Sequence, residues 1–178
     1  MPSTLLPTLE SQRLIVRPYM NNDRLFFVEL LTNPDAMQFT GGPMSQGAAL
    51  ELFQRLLKSV RGSEIEAWIV ISRATGRPVG HVALKTDGDG GDREIVVVLS
   101  VRQWRKGFAF ETARIMFDYA LSCEGYPRLI AAVDPNHAAS VGLAYKSGMT
   151  LLERREDGGG QYPVYAITRE KWLASKKS

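Results

Sequence analysis

Between Glu94 and Glu111 the chain reads EIVVVLSVRQWRKGFAFE: an apolar strand pattern, a basic turn with a glycine, then at once a helical pattern. A strand delivered into a turn just before a helix leaves several unpaired backbone N–H groups pointing at one spot, where the positive end of the helix dipole adds to them. Such a spot binds phosphate. Gly107 permits close backbone approach and a positive φ, and Arg102, Arg105 and Lys106 surround an anion with mobile positive charge, so pyrophosphate is the natural guest. The segment lacks the Lys-Ser/Thr ending of a nucleotide P-loop and the three-glycine spacing of a dinucleotide fingerprint, which disfavours ATP and NAD. By spacing alone, a solvated basic loop with a turn glycine is an equal alternative.

The elements that must position this turn follow from periodicity. Arg13 to Tyr19 alternates like a half-buried strand and leads through Asn21-Asn22-Asp23 into a helix over Asp23 to Leu31, stopped by Asn33-Pro34. Ser45 caps a second helix expected to end near Gly62. Ala67–Ser72, Pro78–Lys85 and Glu94–Leu99 read as an antiparallel meander, with an Asp/Gly-rich loop from Asp87 to Asp92. The helix after Gly107 closes near Gly125. A strand at Leu129–Val133, a helix from about Ala138 to Ser147, strands near Thr150–Arg155 and Tyr162–Thr168, and a helical tail complete an α+β pattern with a mixed central sheet.

With 178 residues, 44% apolar and 23% charged, the composition is that of one folded domain. No window approaches the roughly 18 to 20 apolar residues of a membrane span, and the first residues lack a signal-peptide pattern, so a cytoplasmic protein is expected. One cysteine and two histidines exclude an internal disulfide and a structural zinc cluster, and no metal is expected. A net charge of +3 suits an anionic small ligand; nucleic-acid binding is the weaker reading, because the basic turn has few interleaved aromatics.

TLESQRLIVRPYMNNDRLFFVELLTNPDAM, EIVVVLS, WRKGFAFETARIMFDYAL and PNHAASVGLAYKSGM, in this order, resemble the GNAT superfamily of acyl-CoA-dependent N-acyltransferases. Within it they are similar to the Rim-like branch related to ribosomal-protein N-terminal alanine acetyltransferases. The resemblance implies one acyl-CoA N-acyltransferase domain over residues 1–178, with about 1–9 flexible, and a mostly antiparallel mixed sheet flanked by helices. It implies that Trp104, Arg105, Lys106, Gly107, Phe108 and Ala109 form the pyrophosphate loop for acetyl-CoA, Trp104 standing where many members have Arg or Gln. It also implies that Val97, Val98 and Leu99 lie on a strand that splays from its neighbour and pairs with the pantetheine arm; an N–H there would stabilise the oxyanion formed on amine attack.

Alignment back from Gly148-Met149 puts His137 at the family's Asn/His position, with Asn136 as the alternative amide. The resemblance implies that Ser140 is a hydroxyl near the CoA sulfur that protonates the departing thiolate; the alternative is a local helix partner. The family's catalytic Tyr position holds Ala144, and Tyr145 is one residue late, about 100° around the helix. Glu94 is the candidate base for the amine, its simpler reading being a solvated strand end; Glu111 reads as a complement to the helix dipole and His81 as a packed histidine. The implied reaction is direct transfer of an acetyl group from acetyl-CoA to a primary amine, either a peptide N-terminus or a small molecule, in a ternary complex, with a homodimer common among similar proteins. The alternative is an acyl-CoA-binding module without turnover.

Overall fold

The computed structural model describes residues 4–88 and 91–178. Its strands are β1 (Leu9–Glu10), β2 (Leu14–Pro18), β3 (Ile65–Ser72), β4 (Pro78–Asp87), β5 (Asp92–Leu99), β6 (Arg128–Ala132), β7 (Thr150–Asp157) and β8 (Gly160–Thr168). The α-helices are α1 (Arg24–Leu31), α2 (Pro34–Met37), α3 (Gln46–Leu56), α4 (Phe108–Phe117), α5 (Ala138–Lys146) and α6 (Arg169–Ser175). One eight-stranded sheet runs in the order β1-β2-β3-β4-β5-β6-β8-β7. Every neighbouring pair is antiparallel except β5 and β6, which run parallel. This is the expected α+β fold: mixed, mostly antiparallel, flanked by helices.

Strand alternation divides the core in two. Leu14, Val16, Trp68, Val82 and Leu84 face α4, whose Ala113, Met116 and Phe117 cover them. Ala67, Ile69, Ala83 and Val98 face the other way and are covered by Phe27 and Leu30 of α1 and Phe53 of α3. The amphipathic spacing read from the sequence is therefore the packing seen. Ser45 caps α3 as expected, its hydroxyl accepting from the Ala48 N–H at 3.1 Å.

Four features go beyond or against this reading. The first helix ends at Leu31, ahead of Asn33-Pro34 as expected, but Pro34 also opens the short α2, because Asn33 caps it, its side chain accepting from the Ala36 N–H at 2.9 Å, and proline is at ease in a first helical turn. The helix after Ser45 ends at Leu56, and Gly62 instead makes a turn whose N–H reaches the buried Glu66 carboxylate at 2.8 Å. Residues 4–9, expected to be flexible, make specific contacts: Leu5 bridges Val60, Leu6 is 7% exposed, and the Trp68 indole donates to the Pro7 carbonyl at 3.0 Å. For residues 1–3 that expectation lies outside the described residues, as do Asp89 and Gly90 of the expected Asp87–Asp92 loop. After α4 the backbone widens into a π-helical turn over Asp118–Cys123, which no periodicity announces. Among the described residues no helix is long and apolar enough to cross a membrane.

Candidate functional site

β5 and β6 stay paired for only two registers, Arg93 with Leu129 and Glu94 with Ile130. Beyond that point β5 follows β4 as far as Leu99, whereas β6 follows β8. The strands part, leaving a gap along β5 from Ile95 onward. Gly80 on β4 helps set this course: a Cβ there would lie 2.6 Å from the Val98 carbonyl and 2.5 Å from the Leu99 side chain, so only glycine lets the end of β5 approach.

The Ser100 N–H donates to the Val79 carbonyl at 3.0 Å, which fixes the parity of the ladder. By alternation Val98 turns its backbone to β4, and its side chain is 4% exposed in the core. Val97 and Leu99 turn theirs to the gap. Of the three strand residues named from the sequence, the backbone groups of these two are thus the ones exposed there. The Leu99 carbonyl already accepts the Trp104 indole N–H at 3.1 Å, which ties the following loop to the strand end.

That loop is sharply shaped. Val101–Gln103 make a single 3-10 turn, Arg105 has φ 63° and Gly107 φ 79°, and α4 starts at Phe108. Left-handed residues alternating with ordinary ones turn successive N–H groups to one side, an arrangement that receives anions. Arg102, Arg105 and Lys106 are exposed around it, and Lys106 reaches only the Gln103 side-chain oxygen, at 3.0 Å. Among the described residues neither Arg102 nor Arg105 has a carboxylate partner. Phe108 and Ala109 are partly buried and open the helix.

Across the gap, β6 leads into Asp134–His137 and α5. The Asp134 carboxylate accepts the Asn136 backbone N–H at 2.8 Å, and Asn136 itself is exposed. His137 caps α5, and its Nδ1 lies 2.6 Å from Ser140 Oγ. Burial lowers the His137 imidazole from its ordinary value against the opposing pull of Asp134, which favours the neutral ring. Between the two neighbours left open by the sequence, the structure brings His137 to Ser140. Ala144, one turn later and on the same face, is buried, whereas Tyr145 lies about 140° around the helix from Ser140, 55% exposed and edge-on to Tyr165. Tyr145 does not join the cluster.

Glu94 sits where the two strands part, on the face of α1 and α3, and is paired with Lys85 at 3.4 Å. Beside it, Ile130, Val164, Ala166 and Tyr162 form a small apolar wall. His81 is packed, as expected, 6% exposed with its Nδ1 2.7 Å from the Tyr19 hydroxyl. Two residues escaped the sequence reading. Phe39, in the turn after α2, stacks on His137, and Arg13 reaches the loop before α4. Neither lies within 90 residues of its partner, so no local pattern could have shown them. Among the described residues no group of three or more His, Cys, Asp or Glu could hold a metal ion.

An uncharacterized protein of Bacillus subtilis, YkkB, is 26% identical over 144 residues, covering 79% of this chain and 84% of that one. The FsC-acetyl coenzyme A-N(2)-transacetylase of Aspergillus fumigatus is 27% identical over 195 residues, covering 96% of this chain and 80% of that one. Among solved structures, spermidine N-acetyltransferase from Vibrio cholerae, in complex with CoA and spermine, superimposes with a TM-score of 0.79 over 92% of this chain and 99% of its own, at 16% identity. The model of the acetyltransferase (GNAT) domain matches residues 13–150, from the start of β2 to the start of β7 and thus across the splayed strands, the basic loop and α5. The chain belongs to the GNAT acetyltransferase family.

Proposed function

We propose that this protein is an acetyl-CoA-dependent N-acetyltransferase, of the Rim-like kind, that moves an acetyl group directly to a primary amine in the cytoplasm. The observation that carries the reading is the pairing of a parted β5/β6 edge with a left-handed, basic loop at the N-terminus of α4. The loop has the shape and charge for a pyrophosphate, and the gap has backbone groups free to pair with an extended amide-bearing arm. The chain's likeness to an FsC-acetyl coenzyme A-N(2)-transacetylase and to a CoA-bound spermidine N-acetyltransferase supports the same donor.

In this mechanism Trp104–Ala109 hold the pyrophosphate, with Arg102, Arg105 and Lys106 adding charge, and Val97 and Leu99 line the arm. The N–H of Val97, free of any strand partner, stabilises the oxyanion as the amine attacks the thioester carbon. Glu94 receives the proton of the attacking amine, directly or through water. As the tetrahedral intermediate collapses, the C–S bond breaks and Ser140 gives its proton to the departing sulfur. For this the Ser140 O–H must point at the sulfur, so its oxygen accepts from the N–H of His137 Nδ1; the neutral Nδ1–H tautomer is the competent one. Ser140 shares its helix face with Ala144, the position where many family members carry a tyrosine, and so supplies a hydroxyl on the same side. Both substrates bind at once and no acyl-enzyme forms.

The acceptor is a peptide N-terminus or a small amine, entering between the α1–α2 region and the Tyr162–Thr168 strand. The test is thermal unfolding with and without acetyl-CoA, beside a free-thiol assay over peptides beginning with Ala, Ser or Met and a panel of polyamines and aminoglycosides. A raised midpoint with thiol release supports the reading. No shift at millimolar acetyl-CoA overturns it.

A further inference from the structure

Arg13 stands just ahead of β2 and Glu111 in the first turn of α4, and their side chains meet across 98 residues of sequence. Arg13 Nε donates to Glu111 Oε2 at 2.6 Å and the Arg13 backbone N–H to Oε1 at 3.0 Å, while the Ser11 hydroxyl donates to Oε1 at 2.5 Å. Glu111 is therefore held from three sides. The rest of the guanidinium is turned to the basic loop. Nη1 donates to the Lys106 carbonyl at 2.9 Å, the guanidinium carbon lies 4.8 Å from the centre of the Phe108 ring, and Nη2 stands 3.2 Å from where a Gly107 Cβ would be.

Lys106 is flanked by the two left-handed residues Arg105 and Gly107. A left-handed conformation at a non-glycine residue is strained and persists where its surroundings fix it. The peptide carbonyl between the two residues has two directions open to it. Turned inward, its negative end would repel an anion; turned outward, it leaves the N–H groups to the anion alone. Arg13 Nη1 holds this carbonyl, so that it is engaged by a fixed donor and not free to swing toward an anion. Because Glu111 matches the charge of Arg13, the pair adds little net charge to the loop, so its contribution is shape.

We infer that Arg13, fixed by Glu111 and Ser11, is a positioning residue that holds the 104–107 loop in its anion-receiving form and so sets the preference for acetyl-CoA over a donor lacking the pyrophosphate. The inference rests on the proposed placement of the acetyl-CoA pyrophosphate in this loop. Arg13 itself touches neither the thioester nor the acceptor in this arrangement.

The test is a pair of titrations followed by thermal unfolding, one with acetyl-CoA and one with S-acetylpantetheine, which has the same thioester arm and no pyrophosphate. Four proteins are compared: the unaltered chain, Arg13→Gln, Arg13→Lys and Ser11→Ala. The unaltered chain is expected to favour acetyl-CoA strongly. Arg13→Gln should lose about tenfold in acetyl-CoA affinity with S-acetylpantetheine unchanged. Arg13→Lys should behave like Arg13→Gln, since one ammonium cannot reproduce the planar fork joining a carboxylate to a carbonyl. Ser11→Ala, which leaves the guanidinium in place, should lose two- to threefold and keeps the test readable if the arginine variants fold poorly. Full rescue by lysine would make the effect one of charge and overturn the positioning role. Unchanged preference in the variants, or equal losses for both donors, would overturn it too, leaving the acetyl-CoA reading intact. Absence of any preference in the unaltered chain would instead sink the placement of the pyrophosphate.

Discussion

The ring of Phe39 lies on the ring of His137, centroids 4.2 Å apart and planes 14° from parallel. One ring belongs to the turn after α2, beside the proposed acceptor entrance; the other caps α5 and touches Ser140. The stack thus joins the acceptor side of the molecule to the hydroxyl proposed to serve the leaving group. It also restrains the imidazole that orients this hydroxyl.

Phe39→Ala should lower kcat while leaving acetyl-CoA affinity within about twofold. An aromatic pair contributes about 1 kcal/mol beyond its area, so a fall of roughly fivefold is expected. Steady-state kinetics with the best acceptor of the panel decide it; unchanged kcat would make the stack a packing contact only.

Ser140→Ala should reduce turnover at least tenfold with little change in the calorimetric affinity for acetyl-CoA, because the proposed role of the hydroxyl is on the leaving sulfur and not on the bound donor. Activity equal to the unaltered chain would return Ser140 to a partner of the His137 cap. The two variants are close enough to couple, so their effects should not add.

Gly107→Val should weaken acetyl-CoA binding by tenfold or more. Its φ of 79° is strained for any side chain, and the added Cβ would stand 3.2 Å from the Arg13 guanidinium. Calorimetry is the readout, and retained affinity would remove the pyrophosphate from this loop.

Burial pushes the His81 imidazole down to about 4, so it stays neutral in the fold over a range where the unfolded chain takes up a proton. Since the unfolded histidine titrates near 6.5, the stability present above that pH should be lost as pH falls toward 4, by about 3 kcal/mol. Urea unfolding at pH 7.5 and pH 4.5 measures the loss. His81→Gln keeps a partner for the Tyr19 hydroxyl without a titratable ring, and its unfolding free energy should fall less between the two pH values; an identical fall would place the pH dependence elsewhere.

The strands and helices were legible wherever burial imposes a period. Glu94–Leu99 alternates between the two cores, and the apolar spacing of Ala49, Phe53 and Leu56 is the face that α3 buries. Gly107 was legible because a basic turn between strand and helix needs a left-handed residue, and it is one. What stayed hidden depends on contacts far apart in sequence. The insertion of β8 between β6 and β7 is decided by pairing across more than 30 residues. Arg13 read only as a strand residue, since its partners Lys106 and Glu111 lie more than 90 residues away in the sequence. Pro34 marked the end of α1 correctly but hid α2, because the same residue that ends one helix can start the next.

Trp104 leaves the molecule with a built-in optical probe. Of its three tryptophans, Trp68 and Trp172 are sealed in the core, whereas Trp104 is 38% exposed and fastened by its indole N–H to Leu99. Indole emission moves to longer wavelength with contact with water, so the red edge of the protein's fluorescence belongs to Trp104 alone. A donor seated in the adjacent loop, as proposed, would displace that water, and its arrival could be followed in the native chain by colour, without label, acceptor or turnover.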